Sequence, residues 1–224
     1  TAYRYDADGN MVARVQGGVE TRFLLDIGRK NPTILEVYHP DGSVIASYTY
    51  GHGRILQTSG GTVTYYVTDA LGSVRALTDS TGTITDQFTY SAFGELTGRT
   101  GVTLNAFLFT GELRDSLTGL DYLRARHYDP AIGRFVSRDP FPGLPSIPST
   151  LNPYAYVSNN PVSLTDPSGQ SPLTDVMTAI YVRGTLLTQQ VIAIKKVRDI
   201  VNILRELLFW VNVGSSLNEF MFNY

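Results

Sequence analysis

The chain has 224 residues, 42% hydrophobic and 17% charged, which suits a folded protein with one sizeable core or two small ones and excludes a disordered polymer. A net charge of −2 gives no broad basic field for nucleic acid, and the absence of Cys excludes disulfides, thiol nucleophiles and zinc–thiolate sites. With 14 Tyr and 21 Gly, the composition suits strands joined by tight turns.

No signal peptide opens the chain, which starts inside a repeat and so reads as a fragment or processed product. Tyr5-Asp6-Ala7-Asp8-Gly9-Asn10 places an aromatic residue before an Asp/Gly turn. Tyr38-His39-Pro40-Asp41-Gly42-Ser43, Tyr66-Val67-Thr68-Asp69-Ala70-Leu71-Gly72 and Asp79-Ser80-Thr81-Gly82 restate the pattern. Each unit reads as aromatic strand, turn, then β-branched strand. The alternation through Thr83-Ile84-Thr85-Asp86-Gln87-Phe88-Thr89-Tyr90 predicts a strand with one buried face. A lone hairpin cannot bury such a face, so the units must pack side by side, with the Tyr residues as the packing ladder.

From residue 91 to 169 the chain is denser in Gly and Pro. Beyond Gln170 the period changes. Ser171-Pro172 suits a helix start, and Leu173, Met177, Ile180, Leu187, Val191 and Ile194 recur three and four apart or at multiples of that step. This predicts an amphipathic helical tail over 170–224. It lacks the roughly 18 uncharged apolar residues of a membrane span.

A string of motifs becomes specific at Asp69-Ala70-Leu71-Gly72-Ser73-Val74-Arg75. It continues through Tyr90-Ser91-Ala92-Phe93-Gly94-Glu95, Tyr122-Leu123-Arg124-Ala125-Arg126-His127-Tyr128-Asp129-Pro130 and Arg138-Asp139-Pro140, and ends at Asp166-Pro167-Ser168-Gly169. Over about residues 1–169 it resembles the C-terminal core of RHS/YD-repeat proteins, as found in polymorphic toxins and in the C component of insecticidal toxin complexes. The resemblance implies a mainly β fold: YD/RHS hairpin repeats over 1–90 forming part of a shell wall and an inward core plug over 91–169; the helical tail lies outside it. It also implies a secreted or cell-surface bacterial protein, whose partners are the upstream RHS shell and a delivery machine or a like subunit. No cofactor, metal or nucleic acid is expected.

In that family the core can cut its own chain just beyond the last D-P-x-G motif, using the Asp of each D-P. The matching residues are Asp139 and Asp166, with Arg138 beside the first and the cut between Gly169 and Gln170. Two adjoining carboxyls resist ionising together, so one can act as base and the other as acid, while Arg138 could stabilise negative charge. The sequence departs from the family pattern at Asp-Pro-Phe-Pro-Gly and in the Pro- and Ser-rich segment Phe141 to Leu151, which widens the Asp spacing; Gln170 stands where an apolar residue is usual. The bland reading of both Asp is turn chemistry. His127 reads as a packing residue, and Arg124, Arg126 and Arg134 as partners of carboxylates. Two other functions stand beside self-cleavage: an uncleaved surface or fibre protein whose tail mediates assembly, and a delivery protein whose tail is a small effector. The tail has no His or Cys and few carboxylates, which argues against an enzyme there.

Overall fold

The computed structural model describes residues 1–143, 145 and 147–170, so the helix expected over 170–224 lies, from residue 171 on, outside the described residues. Ten strands form one antiparallel sheet in strict sequence order. They are β1 (Ala2–Tyr5), β2 (Met11–Gln16), β3 (Val19–Asp26), β4 (Thr33–Tyr38) and β5 (Val44–Tyr50), then β6 (Arg54–Ser59), β7 (Thr62–Thr68), β8 (Val74–Thr78), β9 (Ile84–Tyr90) and β10 (Leu96–Thr100). The hairpin wall read from the Tyr/Gly pattern is thus present, and its last strand reaches Thr100, past the division placed at residue 90.

One turn recurs at Asp6, His39, Asp69, Asp79 and Ser91. The N–H of each first residue donates to the carbonyl four positions on, and its own carbonyl accepts from the glycine three positions on. Those glycines, Gly9, Gly42, Gly72, Gly82 and Gly94, have φ between +82° and +89°, which builds a type I turn with a glycine bulge. Three positions past each of these glycines the returning strand carries one extra residue, Val12, Ile45, Arg75, Thr85 or Thr97, and this second bulge shifts the register. The carboxylate completes the turn: Asp79 Oδ1 accepts from the N–H groups of Thr81 (2.8 Å) and Thr83 (3.0 Å), and Asp69 does the same for Leu71 and Ser73.

Tyr residues pack the wall as expected. Tyr50 donates to the Ile34 carbonyl and Tyr90 to the Val74 carbonyl, both at 2.8 Å and across the same sequence separation. Tyr48 is buried among Met11, Phe23 and Phe107, and burial pushes its phenol up to about 12. On β9 the inward positions are Asp86 and Phe88, while Ile84 is exposed. Asp86 is accepted inside because Oδ1 takes the Thr103 N–H at 3.0 Å and Arg99 lies 3.7 Å away.

After β10 the chain crosses the inner face of the wall. Phe107, Leu108 and Phe109 each enter a different apolar cluster, so three consecutive residues join the wall to the rest of the core. A four-stranded sheet then forms from β11 (Leu113–Arg114), β12 (Asp121–Leu123), β13 (Arg126–Asp129) and β14 (Arg134–Phe135). Alternation gives it two different faces. Leu113, Tyr122 and His127 share one. Tyr122 Oη accepts the Met11 N–H at 3.0 Å, and the His127 ring lies 4.6 Å from that of Tyr3. Arg114, Asp121, Leu123, Arg126, Tyr128 and Phe135 share the other. There the Tyr128 hydroxyl donates 2.7 Å to the Phe93 carbonyl, in the turn between β9 and β10. One face thus meets the first strands of the wall and the other its last hairpin, so the wall curls around the small sheet.

Candidate functional site

The second face of the small sheet carries the charged cluster. Leu123, Tyr128 and Phe135 on it are buried and apolar, with Tyr156 and Val157 packed against them at 0% exposure. Arg126 alternates with Tyr128 and therefore points into this apolar layer, 3% exposed, with its guanidinium carbon 3.5 Å from the Phe135 ring centre. Burial pulls the Arg126 guanidinium down from its usual value, and two neighbouring carboxylates push it back up.

Those carboxylates are Asp139 and Asp166. Nη2 of Arg126 lies 2.8 Å from Asp139 Oδ2 and 3.5 Å from Asp166 Oδ2. Both acids meet one nitrogen, so their oxygens can be no farther apart than the sum of those distances. Asp139 is 8% exposed and Asp166 1%. The structure therefore brings together the two Asp residues singled out from the D-P motifs. The guanidinium on them belongs to Arg126, across the fold, whereas Arg138 is exposed. A strand-register argument could have found it: a charged residue in step with Leu123 and Tyr128 has to be buried, and a buried Arg needs carboxylate partners.

The insertion-like segment after Asp139 does not separate the pair. Asp139 N–H donates to the Pro153 carbonyl at 2.9 Å, and Arg126 Nη1 donates to the same carbonyl at 3.2 Å. Residues 140–152 thus leave and return at one point as a closed excursion. Beside it lies a small recess lined by Asp139, Phe141, Thr150, Asn152, Pro153 and Ser158, about the size of one water. Below, Val157, Ser158 and Asn159 run consecutively at φ of +42°, +54° and +62°. Backbone of that kind persists only where packing overdetermines it, and the buried Val157 provides that packing.

The D-P-x-G segment lies along the turn between β12 and β13. Ala125 N–H donates 3.2 Å to the Ser168 carbonyl, Arg124 Nη1 donates to the Pro167 carbonyl, and Arg126 Nε donates to the Gly169 carbonyl. Arg124 is itself held by Glu112 at 2.9 Å. Gly169 has φ +65°, and a Cβ there would stand 1.9 Å from the Leu123 carbonyl oxygen, so only glycine fits against the turn. The hydroxyl of Ser168 is 3.0 Å from Asp166 Oδ1 and accepts the Gln170 N–H at 3.1 Å. The expected cut, Gly169–Gln170, therefore has its carbonyl on a buried guanidinium and its nitrogen one hydroxyl away from a buried carboxyl. Turn chemistry is present as well, since Asp139 Oδ1 accepts the Phe141 N–H at 2.8 Å.

His127 is stacked between Tyr3 and Tyr122, with ring centres 4.6 and 5.4 Å away, on the opposite face from the cluster, in keeping with a packing role. Among the described residues no group of three His, Asp or Glu side chains is arranged to hold a metal.

A profile of the Teneurin YD-shell family matches residues 1–162. The chain is 37% identical over 172 residues to the tRNA3(Ser)-specific nuclease WapA of Bacillus spizizenii, covering 75% of this chain and 7% of that protein. It is 30% identical over 168 residues to Teneurin-3 of Mus musculus, covering 72% of this chain and 6% of that one. In fold it is similar to the crystal structure of TcdB2-TccC3-Cdc42, with a TM-score of 0.55 at 23% identity, covering 75% of this chain and 9% of that one. The chain spans less than a tenth of the length of each.

Proposed function

The chain belongs to the YD-shell family as an RHS-type shell domain, and from that premise we propose that it forms the closing end of an encapsulating shell of a secreted or surface bacterial protein and cuts itself between Gly169 and Gln170. The observation that carries the reading is the meeting of Asp139, Asp166 and the Gly169 carbonyl on one buried guanidinium, that of Arg126. Turn formation alone requires no such convergence.

In this reading Asp139, beside the recess, takes a proton from water as the water adds to the Gly169 carbonyl carbon. Arg126 Nε already donates to the oxygen that gains charge, and few water molecules compete for it in that buried layer. Asp166 lies on the leaving-nitrogen side. The partner is the upstream part of the same shell, which would add a strand at the outer edge of β1, an edge strand of the ten-stranded sheet. A delivery machine or a like subunit is a further partner consistent with the fold's similarity to toxin-complex components.

A second reading keeps the chain whole. Asp139 and Asp166 then serve as turn caps and as counter-ions to Arg126, and the core only closes the hairpin array. The Phe141 N–H on Asp139 favours it. Intact mass of purified full chain separates the two. A fragment ending at Gly169, lost in both Asp139→Asn and Asp166→Asn, supports cleavage; equal masses in wild type and variants overturn it. Expression of 170–224 alone, with growth as the readout, tests the tail as an effector.

A further inference from the structure

We propose that Ser168 is a catalytic residue of the self-cleavage, relaying the proton from Asp166 to the departing Gln170 nitrogen. The inference rests on the self-cleavage reading and assigns a step that neither Asp residue performs alone. Peptide hydrolysis requires a proton on the leaving nitrogen, because an amide anion is too basic to depart. The nitrogen at the proposed cut is that of Gln170, and its N–H points at Ser168 Oγ, 3.1 Å away. The same Oγ lies 3.0 Å from Asp166 Oδ1 and 3.0 Å from the Gln170 carbonyl oxygen. One hydroxyl thus bridges a carboxyl that is 1% exposed and the atom that must be protonated. Arg126 holds the other side of the bond through the Gly169 carbonyl, and Gly169 cannot shift without its backbone losing the Leu123 turn it is pressed against.

The step balances. Water adds to the Gly169 carbonyl carbon and gives one proton to Asp139. As the tetrahedral centre collapses, the C–N bond breaks and its electron pair stays on Gln170 nitrogen. That nitrogen takes the hydroxyl proton of Ser168, and Ser168 takes the carboxyl proton of Asp166. The products are a Gly169 carboxyl and a free Gln170 amine. The dyad still holds one proton, now on Asp139.

A hydroxyl that only caps the turn would steady residues 166–170 without carrying a proton. The test follows newly made full-length chain by pulse-labelling in cell-free synthesis, reading the 1–169 fragment against time. The variants are Ser168→Ala, Ser168→Thr and Asp166→Asn. We expect Ser168→Ala to cut about 10²-fold more slowly than wild type, the lower end of what positioned acid catalysis contributes. Ser168→Thr, which keeps the hydroxyl, should recover most of the rate, and Asp166→Asn should stay whole. If Ser168→Ala cuts as fast as wild type, the relay is wrong and self-cleavage stands. If Ser168→Thr is as slow as Ser168→Ala, packing rather than the hydroxyl matters, and the relay is again wrong. If wild type itself stays whole, both readings fall.

Discussion

Replacing Arg126 by Leu gives the sharpest test of the charged layer, because it separates the cation from the space it fills. Arg126 is 3% exposed, and the carboxylates it faces are 8% and 1% exposed. Deleting the guanidinium leaves two acids in an apolar layer without their partner, and also takes the Arg126 donor from the Gly169 carbonyl and one of two donors from the Pro153 carbonyl, which keeps the Asp139 N–H. Breaking a buried ion pair from one side costs about 3–5 kcal/mol, a large part of the ~5–15 kcal/mol that holds a domain together. For a chain of this size that is a fall in Tm of roughly 6–20 °C. The acids supply the control. In an Asp139→Asn, Asp166→Asn background the same Arg126→Leu change strands no charge, so its cost should drop by at least ~2 kcal/mol. Urea unfolding followed by far-ultraviolet circular dichroism measures all four proteins. A cost below ~1 kcal/mol, or one equal in both backgrounds, would mean that this cation does not neutralise this pair.

Other outcomes rest on the same geometry. Gly9→Ala and Gly94→Ala alter the same turn, but a Cβ at Gly9 meets nothing within 4 Å while one at Gly94 would lie 2.3 Å from the Phe109 ring. Both pay the left-handed strain of ~1–2 kcal/mol, and Gly94→Ala should lose a further ~1–3 kcal/mol by overpacking, read from urea midpoints. Burial pulls the His127 imidazole below its ordinary value, so the unfolded chain takes up the extra proton. Stability from this group is complete above about pH 6.5 and is lost as pH falls below it. His127→Phe should flatten the difference between unfolding midpoints at pH 7.5 and 5.5, and an unchanged slope would place its origin elsewhere. Asp79→Ala should cost about 1 kcal/mol, because its Oδ1 completes one hairpin turn and nothing else. Gly169→Ala should leave the chain whole, since its methyl cannot fit against the Leu123 carbonyl and would draw the Gly169 carbonyl away from Arg126; a 1–169 fragment of normal yield would contradict that.

Much of the wall was legible in the chain. The Asp/Gly turns could be read because each closes through hydrogen bonds spanning at most four residues, with the glycine supplying a φ near +85° that other residues resist. The alternation of β9 was legible too, although its break was not: the extra residue Thr85 shifts the register, so Ile84 is exposed while Asp86 and Phe88 face inward, where the Thr103 N–H and Arg99 receive the carboxylate. The D-P motifs mark Asp139 and Asp166, and in the sequence the cation beside the first is Arg138. Arg138 is exposed, and the cation that reaches Asp139 comes instead from Arg126 on β13.

What the order of residues decided was therefore local: where the chain turns, which stretches alternate, and which two acids stand before a proline. Tertiary structure alone decided which cation those acids share, that residues 140–152 close on themselves at Asp139 and Pro153, and that Gly169 is pressed against the Leu123 turn. The division has a physical cause. A turn is settled by the dihedral angles and hydrogen bonds of neighbours in the chain, whereas the site is settled by which face of a strand is buried, and that is chosen only when the wall curls around the small sheet.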